Sequence, residues 1–159
     1  RLDNVIPSLS FSGSEDFSKE IHLIEYSRSL MLITINNLIN VYGQDLKNEQ
    51  WVLEPLANLV ISFSVMYSGL LRYSQLNEGD YKLKTFPILK YSIDRHFIKL
   101  FNESKDINNF ISDKLYKKDQ DFFNSLINEF DSIDYYCNSI ELKKTICDEF
   151  YKNGKYYLD

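Results

Sequence analysis

The side chains able to do chemistry are few and scattered. His22 and His96 lie far apart, and nine residues separate Cys137 from Cys147. A metal centre draws on spacings such as His-x-x-x-His or Cys-x-x-Cys, which place two ligands on one helix face or one turn. Neither spacing occurs. Nucleophilic catalysis needs a base within reach of a serine or cysteine. His96 sits in Asp94-Arg95-His96, where successive side chains leave a helix in different directions, so nothing local makes it that base. The glycines at 13, 43, 69, 79 and 154 form neither Gly-x-Gly-x-x-Gly nor Gly-x-x-x-x-Gly-Lys, the patterns that cradle phosphates. Lys114-Leu115-Tyr116-Lys117-Lys118 mixes cations with an aromatic ring, as single-strand binders do. Asp119 and Asp121 follow it directly, however, and the chain carries 18 basic against 23 acidic residues, a net charge of −5. That balance disfavours a nucleic-acid partner and makes the run a solvated helix end.

These residues must be positioned by a single modest domain. A chain of 159 residues buries about two-thirds of its unfolded surface, enough for a core without metal or disulfides. Two cysteines make no disulfide framework and decide little about compartment. Hydrophobic residues at 44% and charged residues at 26% are ordinary globular values, which excludes disorder. With 12 Tyr and 11 Phe, the core is expected to rest on large rings. The chain has one alanine, Ala57, and four arginines, Arg1, Arg28, Arg72 and Arg95, so these positions are unlike filler. It opens at Arg1, without a basic-then-apolar leader, and reads as a segment of a longer protein.

Periodicity predicts an all-α antiparallel helical bundle, with three long helices and shorter C-terminal ones. Residues 1–14 are rich in Ser, Gly, Pro and Asn and read as a linker. Ser14 then offers an N-cap, and Phe17, Ile21, Ile24, Arg28, Met31, Ile35, Leu38 and Tyr42 form a helical stripe ending at Gly43. A second helix is expected from after Asp45 to about Leu76, with Leu46, Leu53, Leu56, Ala57, Val60, Ile61, Phe63, Met66, Tyr67 and Leu70 on its apolar face. Pro55 should kink it, or else the helix starts just before Pro55 after an irregular 48–50 segment. A third helix fits 81–101 through Phe86, Leu89, Ile93, Phe97 and Leu100, with Pro87 as a kink or in a first turn capped by Thr85. Shorter segments follow at 107–115, 119–133 and 139–151. No stretch shows sustained period-two alternation.

Two features invite a functional question. Residues 55–71 carry no charge, at the short limit for a bilayer span. Asn58, Ser62, Ser64 and Ser68 within the run favour a helix buried on most sides in a bundle instead. Arg28 breaks the first stripe. It is expected to snorkel or pair with Glu49 or Glu54, the other reading being that it faces another domain or subunit.

The segment Asn48-Glu49-Gln50-Trp51-Val52-Leu53-Glu54-Pro55-Leu56-Ala57-Asn58-Leu59-Val60-Ile61 resembles the C-terminal helical extension of the longer, very-long-chain-type acyl-CoA dehydrogenases. There an Asn-Glu-Gln motif opens a helix, a Leu-Ala pair follows, and the helix closes near an arginine; Phe63, Met66 and Leu70-Leu71-Arg72 match that order. The resemblance covers about residues 15–101, leaving 102–159 as helices that pack on or extend the bundle, and Pro55 departs from it. It implies a parent flavoenzyme that oxidises acyl-CoA to enoyl-CoA with FAD, in a mitochondrial matrix or bacterial cytoplasm. The family's catalytic carboxylate and flavin contacts have no counterpart here, so this segment is expected to hold no cofactor and to be inert alone. Its implied partners are the upstream catalytic domain and a second copy, as a homodimer; the negative charge argues against a membrane-surface role. The implied interface or packing residues are Arg28, Asn48, Glu49, Gln50, Ala57 and Arg72. The rival expectation is a free-standing helical interaction module.

Overall fold

The computed structural model describes residues 18–76, 80–131 and 139–153; the expected linker, the Ser14 cap and Cys137 lie outside them. The described chain is an all-α bundle of five helices, with no strand among these residues. α1 runs Ser18–Tyr42, α2 Gln50–Ser74, α3 Asp80–Phe110, α4 Lys117–Asp131 and α5 Ser139–Asn153. Short 3-10 turns at Gly43–Asn48 and Ser112–Lys114 join α1 to α2 and α3 to α4.

Gly43 ends α1 as its position suggests, because its φ of +54° is a left-handed conformation that a β-carbon would strain. The next residues tighten into a 3-10 turn rather than starting the second helix directly after Asp45. Glu49 then caps α2 through its backbone, its carbonyl accepting from Val52 and Leu53. Pro55 lies in the second turn, where it removes one donor and the helix continues without a break. Pro87 likewise sits inside α3. Thr85 is not a cap; its hydroxyl donates to the Lys82 carbonyl within the helix, at 3.0 Å. α3 runs past the expected end at 101 to Phe110, so the 101/102 division falls inside one continuous helix of about 46 Å.

α3 is the axis of the molecule: α1, α2 and α5 all pack against it, and α4 leans on α1. The core is its expected stripe of Leu89, Ile93, Phe97 and Leu100, extended by Ile107 and Ile111, against Ile24, Leu30 and Leu38 of α1 and Val52, Leu59, Met66 and Leu70 of α2. Rings join the layers, as the composition suggests. Phe130 of α4 lies 4.9 Å from Phe97, 5.0 Å from Phe101 and 5.3 Å from Tyr26, centroid to centroid. Tyr26 fixes that helix further by donating its hydroxyl to the Leu126 carbonyl at 2.6 Å.

The buried face of α1 is rotated from the expected stripe. Ile24, Met31 and Leu38 are inside, but the face centres on Glu20, Ser27 and Thr34, which recur every seven residues, with Asn37 beside them. Arg28 is therefore displaced to the half-buried edge, and it pairs with neither Glu49 nor Glu54.

α2 departs furthest from expectation. It buries Val52, Leu59, Ser62, Met66, Leu70 and Tyr73, while Leu53, Ala57, Val60 and Ile61, placed on the apolar core face by periodicity, point outward. Only 22% of its most apolar stretch is buried, so this is not a helix enclosed on most sides. By length and composition it is the one helix among the described residues able to cross a membrane.

Candidate interaction surface on helix α2 and its aromatic corner

The outer face of α2 is defined by what its sequence lacks. With no charge from 55 to 71, the side of the helix turned from α1 and α3 presents Leu53, Ala57, Val60, Ile61, Ser64, Val65 and Ser68. Ile61 is 55% exposed and Val60 44%. The serines on this face are folded back on their own helix. Ser64 donates to the Val60 carbonyl at 2.7 Å and Ser68 to the Val65 carbonyl at 3.3 Å. Their hydroxyl donors are thus engaged without water, which lowers the cost of drying the surface. The strip runs over about 22 Å of helix from Leu53 to Ser68, a contiguous run and not the singly scattered exposed hydrophobics of an ordinary surface.

At the N-terminal end of α2 three helices meet in an aromatic corner. Trp51 lies 4.0 Å from Phe110 at the end of α3, ring to ring, and 6.3 Å edge-on from Tyr42 at the end of α1. The Trp51 indole donates to Glu49 Oε2 at 2.6 Å. Lys114 sits 5.0 Å over the Tyr42 ring. Trp51 and Phe110 remain 47% and 59% exposed, so the corner is not part of the core.

At the other end, α2 and α3 part to leave a cleft of about 450 Å³ lined by Val65, Gly69, Arg72, Leu76, Thr85 and Leu89 among others. Gly69 allows a close approach of α3: a β-carbon there would stand 3.2 Å from Leu89 Cδ1.

The six residues marked from sequence divide between these places. Asn48, Glu49 and Gln50 form the corner between α1 and α2, with Asn48 and Gln50 exposed and Glu49 holding Trp51. Ala57 faces outward on α2 rather than making a contact inside the bundle, and Arg72 is exposed at the rim of the cleft. Arg28 stands apart on α1. Sequence reasoning missed Trp51 with Phe110, because their partnership depends on where α3 ends.

The remaining reactive groups stay dispersed. Among the described residues no three of His, Cys, Asp and Glu gather as metal ligands. His96 is half-buried, and burial, with Arg95 and Lys99 nearby, holds its pKa below the usual imidazole value. Glu20 is buried with one carboxylate oxygen lacking a hydrogen-bond partner. Burial pushes its pKa up, Asp94 adding to the shift and Lys90 and Lys19 opposing it. No protein-family model matches the chain, and neither a curated protein nor a solved structure does.

Proposed function

We propose that this chain is a non-catalytic helical association module that makes its contact through the outer face of α2. The observation that carries the reading is that face: an uncharged apolar strip left uncovered by the bundle, with its hydroxyls bonded back to the helix. A helix that spends this much apolar surface on solvent gains stability when a partner covers it. A photo-crosslinking residue at Ile61, compared with one at exposed Phe122 on α4, tests it in the native source. Products formed from position 61 and not from 122 support the module; none from 61 sinks it.

The setting we propose is the C-terminal extension of an acyl-CoA dehydrogenase-like flavoenzyme. This rests on the Asn48-Glu49-Gln50 motif, which stands where a helix opens, with Glu49 at the cap and Gln50 as its first residue. In that setting FAD and the acyl-CoA belong to the upstream domain. The mass and visible absorbance of the native protein decide it: a flavin spectrum on a chain several times heavier than 18.8 kDa supports it. A colourless species of this size leaves the free-standing module instead.

A further inference from the structure

We infer that the partner of the α2 face is a second copy of this chain, docked antiparallel about a two-fold axis level with Phe63 but on the opposite, outer side of the helix. The inference rests on the association reading above and names its occupant.

A helix face that pairs with itself antiparallel must be complementary to its own reverse. The α2 face has that character. Glu54 and Arg72 lie nine positions before and after Phe63, so they are separated by about five helical turns and share one azimuth. Ile61 and Val65, two positions either side of Phe63, are both exposed. Reversing the helix about that centre sets Ile61 against the partner's Val65 and Glu54 against the partner's Arg72. The arrangement repeats by symmetry at the other end. Glu54 and Arg72 are exposed, and neither makes an ion pair with a described residue of its own chain.

Between them the face is uncharged, and Ala57 and Ser68 are small enough to let two helix axes come within the usual 8–10 Å. The two charges therefore close an apolar seam at its ends, setting register and direction as well as adding attraction. A parallel pair would place Glu54 against Glu54 and Arg72 against Arg72. An anionic membrane would meet a chain of net charge −5.

The test is sedimentation of the full chain over a concentration series, with circular dichroism to check that each variant folds. The wild type is expected to dimerise reversibly. Glu54→Arg and Arg72→Glu, each alone, place like charges at both ends and should weaken the dimer at least about tenfold. An equimolar mixture of the two variants restores opposite charges at both ends and should dimerise as the wild type does. Ile61→Asp should abolish association while leaving the core untouched. A wild type that stays monomeric throughout overturns the inference, as do charge reversals without effect. Flotation of a monomer with phosphatidylcholine–phosphatidylserine vesicles overturns it too. Crosslinks from position 61 to a different protein would then keep the module reading while the dimer fails.

Discussion

Asn37 of α1 and Asn108 of α3 meet inside the bundle, the Asn37 amide donating to the Asn108 side-chain oxygen at 2.7 Å. Asn108 passes its own amide donors to Thr34 Oγ1 at 2.9 Å and to the Ser104 carbonyl at 2.8 Å. Both asparagines are buried, so each satisfies polar groups that would otherwise be stranded away from water. The network also fixes the register of α1 against α3, because a slide of one turn would break both bonds that cross between the helices, Asn37 to Asn108 and Asn108 to Thr34.

Asn108→Ala removes the centre of that network and strands Asn37 and Thr34. The expected loss is about 1–3 kcal/mol in urea unfolding, with a smaller loss for Thr34→Val, which deletes one acceptor. Equal effects from the two would count against Asn108 as the centre of the network.

Glu20 makes stability depend on pH in an unusual direction for a carboxylate. Its folded pKa is raised, so the folded state binds the proton more tightly than the unfolded chain does. Its contribution is complete below the ordinary carboxylate value and is lost as pH climbs through the raised one. Glu20→Gln keeps the shape without the charge. It should raise the melting temperature at neutral pH and flatten this part of the pH profile. Wild-type and variant curves that run parallel would count against it.

Trp51 is the single tryptophan, which makes the aromatic corner directly observable. Phe110→Ala should shift its emission to the red and cost about 0.5–1.5 kcal/mol beyond lost burial, the usual worth of an aromatic pair. A double-mutant cycle with Trp51→Ala isolates that coupling. An unchanged spectrum in Phe110→Ala would separate the two rings in solution.

The two described glycines should answer substitution oppositely. Gly43→Ala is expected to destabilise by about 1 kcal/mol through its positive φ alone, since no atom lies within 4 Å of the added carbon. Gly69→Ala lies in a helix interior, where alanine is favoured by about 0.8–1 kcal/mol. The atom it meets, Leu89 Cδ1, ends a flexible side chain beside an open cleft and can yield by a few tenths of an ångström. A gain of a few tenths of a kcal/mol to about 1 kcal/mol is expected from chemical denaturation. A loss would mean that Leu89 is held in place.

Most of the fold is legible in the sequence where one side of a helix is polar. The Leu89–Leu100 stripe of α3 and the glycine stop at Gly43 follow directly from spacing and backbone preference. α1 is harder, because Glu20, Ser27, Thr34 and Asn37 occupy the core and break the apolar pattern that periodicity reads. α2 is harder still. With Val60 and Ile61 as apolar as Leu59 and Met66, nothing in its own residues says which side faces in. Only the positions of α1 and α3 choose, and that choice turns the uncharged strip outward. The corner of Trp51 and Phe110 joins residues almost sixty positions apart, beyond any local pattern.

The dependence of α5 on α3 has a consequence for how the molecule breathes. α5 rests chiefly on α3, leaving Ile140 and Tyr151 exposed, whereas the core face of α3 at Ile93 and Phe97 is buried where α1 and α2 pack. Amide hydrogens of α5 should therefore exchange with solvent through detachment of that helix alone. Those around Ile93 and Phe97 await unfolding of the whole bundle. Seen this way, α5 is a removable layer over the flank of α3 formed by Tyr91, Asp94 and Ile98, which its departure would lay open.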